Sequence, residues 1–342
     1  MTTQTPRKED REFSRKVWTV AGILALTVIL ILLVRATFNV LLLVLAGVLI
    51  AVYFRTLAAF IARKTKIREG ASLAISILAS IIIMLLLFWM MGAKVVQQFT
   101  ELRETLPGMV DNFKAKLGQS MMGRKVVEYL SSPDTQRNAQ AIAQTFFRST
   151  FGIIGDLYVV LFLGVFFTVS PRIYKNGIVQ MVPPSGRDKA TDVMGRVGVN
   201  LQKWLMGQLF AMIVVFILTA SGLLIIGVPM WLVLAILAGL LNFIPNFGPL
   251  IALIPAVLVG LLQSPMTALW IAILYISVQI AESNFITPMI QQRLINIPPA
   301  LIILAQLLIA PLTGGWGLVL ATPLMVIIIV MVQELYVKKF DV

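Results

Sequence analysis

Six runs of the chain are apolar over about the length of a membrane crossing: 17–34, 38–54, 71–92, 151–169, 205–227 and 267–287. Two further apolar regions, 231–262 and 299–337, are too long for one ordinary span, and each carries an internal Gly/Pro break. A bilayer core of about 30 Å needs roughly 20 apolar residues in a helix, so this pattern predicts about eight membrane segments. The expected fold is an all-α polytopic integral membrane protein with two broken hairpins. Helical spacing also appears outside the apolar runs. Val95, Val96, Phe99, Leu102 and Leu106 repeat on one face, as do Met109, Phe113 and Leu117 after Pro107-Gly108. A third amphipathic pattern follows the turn Pro183–Gly186 and puts Val193, Val197, Leu201 and Leu205 on one face, with Arg196 and Lys203 off it. These stretches read as amphipathic helices at the membrane surface or against a neighbouring subunit.

Composition agrees: 59% of the 342 residues are hydrophobic and 13% are charged, against about 25% charged in an ordinary soluble domain. The net charge of +13 would suit nucleic acid if it were clustered. It is instead divided among the loops, and no nucleic-acid partner is expected. Residues 1–16, 55–70 and 170–206 hold five, five and six Lys/Arg, and Lys338 and Lys339 follow the last apolar run. The positive-inside rule places these segments, and so both termini, in the cytoplasm. Segment 93–150 then falls outside, where five acids partly balance its eight Lys/Arg. The basic start followed by 17–34 resembles a signal peptide, but the run is long and lacks a small-x-small site, so it reads as a retained helix. The organisation read from the pattern is 1–92, the amphipathic segment 93–150, 151–206, and a core at 207–342.

There is no cysteine and no histidine, which removes disulfides, thiolate or imidazole metal sites and His-dependent triads. No cofactor and no metal site is expected. Gly118–Lys125 approaches a phosphate-binding loop but lacks the Lys directly after its second Gly and a preceding strand, so ATP binding is discounted.

The candidate site lies at the breaks. Pro245, Gly248 and Pro249 interrupt the first region beside Asn242 and Asn246, and Pro311, Gly314, Gly315 and Gly317 interrupt the second. Proline removes a donor and glycine permits a turn. Irregular backbone survives in hydrocarbon only where protein or a water-filled cavity surrounds it. Paired interrupted segments point to a secondary transporter's site; the alternative is that they are kinks of the kind common in membrane helices. Between 205 and 332 the only acid is Glu282 and the only base Arg293. Tyr275, Gln279 and Glu282 share a helix face, with Asn284 and Thr287 near them. Glu282 reads as a proton or cation relay or a solute acceptor, and alternatively as a carboxylate capping broken backbone or reaching the interface. A passive channel and a non-transporting scaffold remain as other classes. An enzyme is disfavoured because Glu282 lacks a paired carboxylate, histidine or thiol.

The blocks "WLMGQ" (204–208), "GVP" (227–229), "LLNFIPNFGPLIALIPA" (240–256), "ESNFITPMI" (282–290) and "PPALIILAQLLIAPLTGGWGLVLATPL" (298–324) resemble the autoinducer-2 exporter family of PerM-like permeases. The resemblance implies an inner-membrane homo-oligomer, a pentamer being one such assembly, that exports a small polar solute such as autoinducer-2. Some members are instead sodium/proton antiporters. It puts the Pro-x-x-Gly-Pro break on Pro245, Gly248 and Pro249, and the family's acid on Glu282 with Pro288 behind it. Asn246 stands where an aromatic is often found. Substrate or ion contacts are thus expected from Glu282, Gln279, Asn242, Asn246 and Asn284, with the Gly/Pro positions as hinges. The partners expected are a small-molecule or cation substrate, membrane lipid and further copies of the chain.

Overall fold

The computed structural model describes residues 8–87, 89, 92, 155–291 and 298–337, and every regular element among them is helical. The amphipathic pattern at 93–150, the loop at 118–125 and Arg293 lie outside the described residues.

Helix α1 runs from Lys8 to Thr65 without a break. The apolar runs 17–34 and 38–54, which the pattern separates, are one helix because Arg35-Ala36-Thr37 contains no residue that stops it. At 1.5 Å per residue its 58 residues extend about 87 Å, well beyond one bilayer core. Only its second half, Thr37–Thr65, is long and apolar enough by itself to cross. The helix stops at Lys66, whose φ of 56° is left-handed. Helix α2 (Glu69–Leu87) returns along it, and the buried Ser76 hydroxyl donates to the Phe54 carbonyl at 2.9 Å. Between helices that both face lipid, close packing and such hydrogen bonds replace the hydrophobic effect as the cohesive force.

Helix α3 (Gly155–Val169) packs on α1, and Arg55 Nε donates to the Thr168 carbonyl at 3.1 Å. At Pro171 the chain turns through 89° into α4 (Pro171–Gln180), so α4 lies across the end of α3. Helix α5 (Arg187–Ile226) is the mast of the fold. Its 40 residues join the amphipathic pattern at 193–205 and the apolar run 205–227 in one helix, because nothing between them breaks it. One stripe, including Val193, Leu201, Leu205, Val215, Thr219 and Leu223, is buried along its length. Gly227, at φ 80°, caps it: Val228 N–H reaches back to the Leu223 carbonyl.

The first hairpin is α6 (Trp231–Leu241) and α7 (Phe247–Gln263). Helix α8 (Pro265–Ala281) follows, capped by the Ser264 hydroxyl on Thr267 N–H at 3.0 Å with Pro265 in its first turn. It continues as a π turn over Glu282–Ile286 and then as α9 (Thr287–Gln291). The second hairpin is α10 (Pro299–Thr313) and α11 (Gly315–Val332), ending in a π turn at Gln333–Val337.

Contacts along α5 give each hairpin its height and direction. Gln263 at the base of the first hairpin donates to the Gly227 carbonyl, Gly239 lies against Phe216, and Asn242 at the tip meets Gln208. That hairpin therefore enters from the Gly227 end of α5 and descends to the level of Leu205, where the apolar run begins. The second hairpin is anchored at the other end, where Glu334 pairs with Arg196 at 3.2 Å. From Glu334 back to Trp316 is about 27 Å of helix, which brings its tip to about the middle of the apolar run. The two hairpins enter from opposite ends of α5. Two cores result: one joins α1, α3, the first half of α5 and α11, and the other joins the second half of α5 to α6, α7 and α8.

Candidate functional site

An α-helix pairs each carbonyl with the N–H four residues on. In the first hairpin that scheme fails at several carbonyls, two of which draw in other helices. The carbonyl of Pro245 would take its donor from residue 249, but Pro249 has no N–H. The carbonyl of Asn242 would take the N–H of Asn246, but Asn246 is held at φ 66°, ψ −48°, outside the helical region. A few local bonds repair part of the turn: Ile244 N–H to Leu241 O at 2.9 Å, Phe247 N–H to Pro245 O at 2.8 Å and Gly248 N–H to Ile244 O at 2.9 Å. Gly248 is required because a Cβ there would fall on the Leu241 carbonyl.

The remaining repair comes from elsewhere in the chain. Gln208 Nε2 on α5 donates to the Asn242 carbonyl at 2.6 Å, and Gln306 Nε2 on α10 donates to the Pro245 carbonyl at 3.0 Å. Two glutamine amides, drawn from the mast and from the opposite hairpin, thus cap the broken backbone. An unpaired buried carbonyl costs about 1–3 kcal/mol, so these amides hold the break open against refolding of the helix. Neither glutamine stands among the expected contact residues. Their signal was present, since each is a lone amide within an apolar run, but the carbonyls they serve are 34 and 61 residues away.

Asn242 itself is 2% exposed and Asn246 is exposed at the tip, so the two expected contacts have different surroundings. Trp204 meets Phe243 edge-on, with ring centroids 5.7 Å apart, and closes the apolar side. Four side-chain atoms among the described residues are buried without a hydrogen-bond partner: Asn242 Nδ2, Gln306 Oε1, Thr322 Oγ1 and Asn39 Oδ1.

Glu282 heads a second group. It is half-buried at the end of α8, where the helix widens into the π turn that packs against α5. Gln279 Nε2 donates to its Oε2 at 3.1 Å and Thr287 Oγ1 to its Oε1 at 3.0 Å. The π turn sets Thr287, five residues on, within reach of the carboxylate, and such turns recur at functional sites. Asn284 is exposed and donates to Ile280 O on its own helix at 2.8 Å, and Pro288 is exposed in α9. The hydrogen bonds therefore bring Gln279 to Glu282 but leave Asn242, Asn246 and the Pro245 tip in a separate group.

The second break is smaller than its sequence. Pro311 sits inside α10, and the turn is Gly314 alone, at φ 65°, ψ −138°, with Gly315 starting α11. Gly317 is buried where a Cβ would meet Thr313 and the Ile309 carbonyl. Trp316 Nε1 donates to Asp156 Oδ2 on α3 at 2.7 Å, which fastens this tip to the first half of the chain.

A family profile described as AI-2E family transporter matches residues 23–337, which include both hairpins and the helix that carries Glu282. The chain belongs to the AI-2E transporter family. The match takes in most of the chain, including the N-terminal half, where none of the resembling blocks lies. This family member is 29% identical over 168 residues to the Bacillus subtilis (strain 168) protein named "Putative transport protein YrrI", covering 49% of this chain and 48% of that one. It is 29% identical over 175 residues to "Putative permease PerM" of Escherichia coli (strain K12), half of each chain. It is also 32% identical over 196 residues to "Putative transport protein MT0215" of Mycobacterium tuberculosis (strain CDC 1551 / Oshkosh), covering 55% of this chain and 52% of that one. The chain spans about half the length of the curated relatives it matches. Among the described residues five helices are long and apolar enough to cross a membrane, and this AI-2E family member is a multi-pass membrane protein.

Proposed function

We propose that the chain is a secondary transporter of the inner membrane that exports a small polar solute, such as autoinducer-2, by alternating access. The observation that carries this reading is the pair of hairpins entering from opposite ends of α5 and joined where Gln306 reaches the Pro245 carbonyl. Broken helices that meet inside the apolar layer expose polar backbone where a solute can bind. A shift of one hairpin against the other would open that junction to one face and close it to the other. The basic loops 55–70 and 170–206 support a cytoplasmic Arg196 end and a cytoplasmic C-terminus. The unbroken α1 puts Lys8 at the far end from Thr65, so the expectation of a cytoplasmic N-terminus, which needed two crossings there, is withdrawn. A homo-oligomer is part of the same proposal.

A second reading, cation/proton antiport, is favoured by Glu282. Its two oxygens take neutral donors from its own helix, which leaves its charge for a proton or cation to balance. The test uses proteoliposomes loaded with a pH dye and given a sodium or potassium gradient, with wild type beside Glu282→Gln. Ion-driven proton flux that vanishes in the variant identifies antiport coupled at Glu282. Flux absent from both preparations leaves solute export, tested next with labelled autoinducer-2. Flux equal in both removes Glu282 from coupling.

A further inference from the structure

We infer that the tip of the first hairpin is a binding site for an uncharged, hydroxyl-bearing solute, contacted by Asn242, Gln306 and Thr322. This rests on the transport reading and adds to it the charge of the ligand and the side chains that recognise it. Asn242, Gln306 and Thr322 are 2%, 0% and 2% exposed. Each nevertheless carries a polar atom without a partner: Nδ2, Oε1 and Oγ1. Buried polar groups are nearly always paired, so three in one region are a standing cost to the fold.

Topology draws the three together. Gln306 is bonded to the carbonyl of Pro245, three residues after Asn242. Thr322 and Gln306 stand eight residues on either side of Gly314, so they are level with each other on the antiparallel α10 and α11. The unpaired set is one amide donor, one amide acceptor and one hydroxyl that can do either. None of the three is ionisable, and the side chains bonded to the tip, Gln208 and Gln306, are neutral too. A cation coordinated by the two oxygens would leave the Asn242 amide donor unpaired, and an anion would meet the Gln306 oxygen. A solute carrying hydroxyl groups, which both donate and accept, matches the donor, the acceptor and the hydroxyl of this set.

The test is equilibrium binding of radiolabelled ribose and erythritol to the full chain in nanodiscs, with sodium, choline and gluconate as competitors. Wild type should bind an uncharged probe, and the ions should not displace it. Thr322→Val and Asn242→Leu should each weaken binding about five- to tenfold, the loss of one hydrogen bond, and Thr322→Ser should restore it. Without solute, both weakened variants should melt at a higher temperature than wild type, because each removes a partnerless polar atom. A lower melting temperature in both would mean that fixed water already satisfies these atoms, and the site falls. It falls equally if neither uncharged probe binds or if an ion displaces the probe. Binding as inferred without solute flux in proteoliposomes keeps the site and sinks the transport reading. Flux with an unchanged half-saturation in Thr322→Val and Asn242→Leu keeps transport and sinks the site.

Discussion

Gln306 divides its amide between two tasks: the nitrogen caps the Pro245 carbonyl, and the oxygen lies buried without a partner. Gln208 has only the first task, and it alone serves the Asn242 carbonyl. The two therefore differ in what their loss should do. Gln208→Leu leaves that carbonyl bare and should cost about 1–3 kcal/mol. Gln306→Leu leaves Pro245 O with its bond from Phe247 and removes an unpaired oxygen, so it should cost less, about 1 kcal/mol or below. Thermal melts in one detergent check this order, and a larger loss for Gln306→Leu would show that the capping account is wrong. Gly248→Ala should be worse than either, at upwards of about 2 kcal/mol, since its methyl would collide with the Leu241 carbonyl. The same melts measure it, and a melting temperature equal to wild type would deny the close approach. At this scale the sequence announced the disruption, because Pro245, Gly248 and Pro249 can be read at sight. It did not announce the repair, because a hydrogen bond across 61 residues leaves no local pattern.

Between the breaks, the elements were legible to the extent that their stops are chemical. Gly227 and the Ser264-Pro265 pair end or start helices where their residue types require it. Where no such residue stands, the apolar pattern divided what the backbone joins: α1 fuses two runs, and α5 fuses an amphipathic stretch with a span. The second break shows the reverse, since Pro311 lies within α10 and a single glycine makes the turn. The direction of each hairpin was not legible at all, because it depends on partners along α5. It is directly testable in a chain without native cysteine. Asn246→Cys should react with an impermeant thiol reagent from the same face as Asp188→Cys. Gln263→Cys should react only from the other face. Labelling of Asn246→Cys and Gln263→Cys from one shared face would contradict the opposed arrangement.

At the scale of the molecule, α5 carries one core at each end and a hairpin from each direction. Asp156 ties the second hairpin to α3, while the first hairpin has its own core with α8. This division offers two bodies whose relative shift would change access at the Pro245–Gln306 junction. The sequence carried the fold class and the two broken regions. The meeting of Gln279 with Glu282 was legible because one helix carries both, whereas Asn242 with Gln208 and Pro245 with Gln306 were beyond the sequence because they assemble from different helices. The central claim is coupled movement of solute through that junction. The most direct measurement is the accumulation of labelled autoinducer-2 in proteoliposomes under an imposed proton gradient. Alternating access predicts label inside the vesicles above the outside concentration, lost when the gradient is dissipated. Label that stops at equal concentrations, or that never enters, contradicts it.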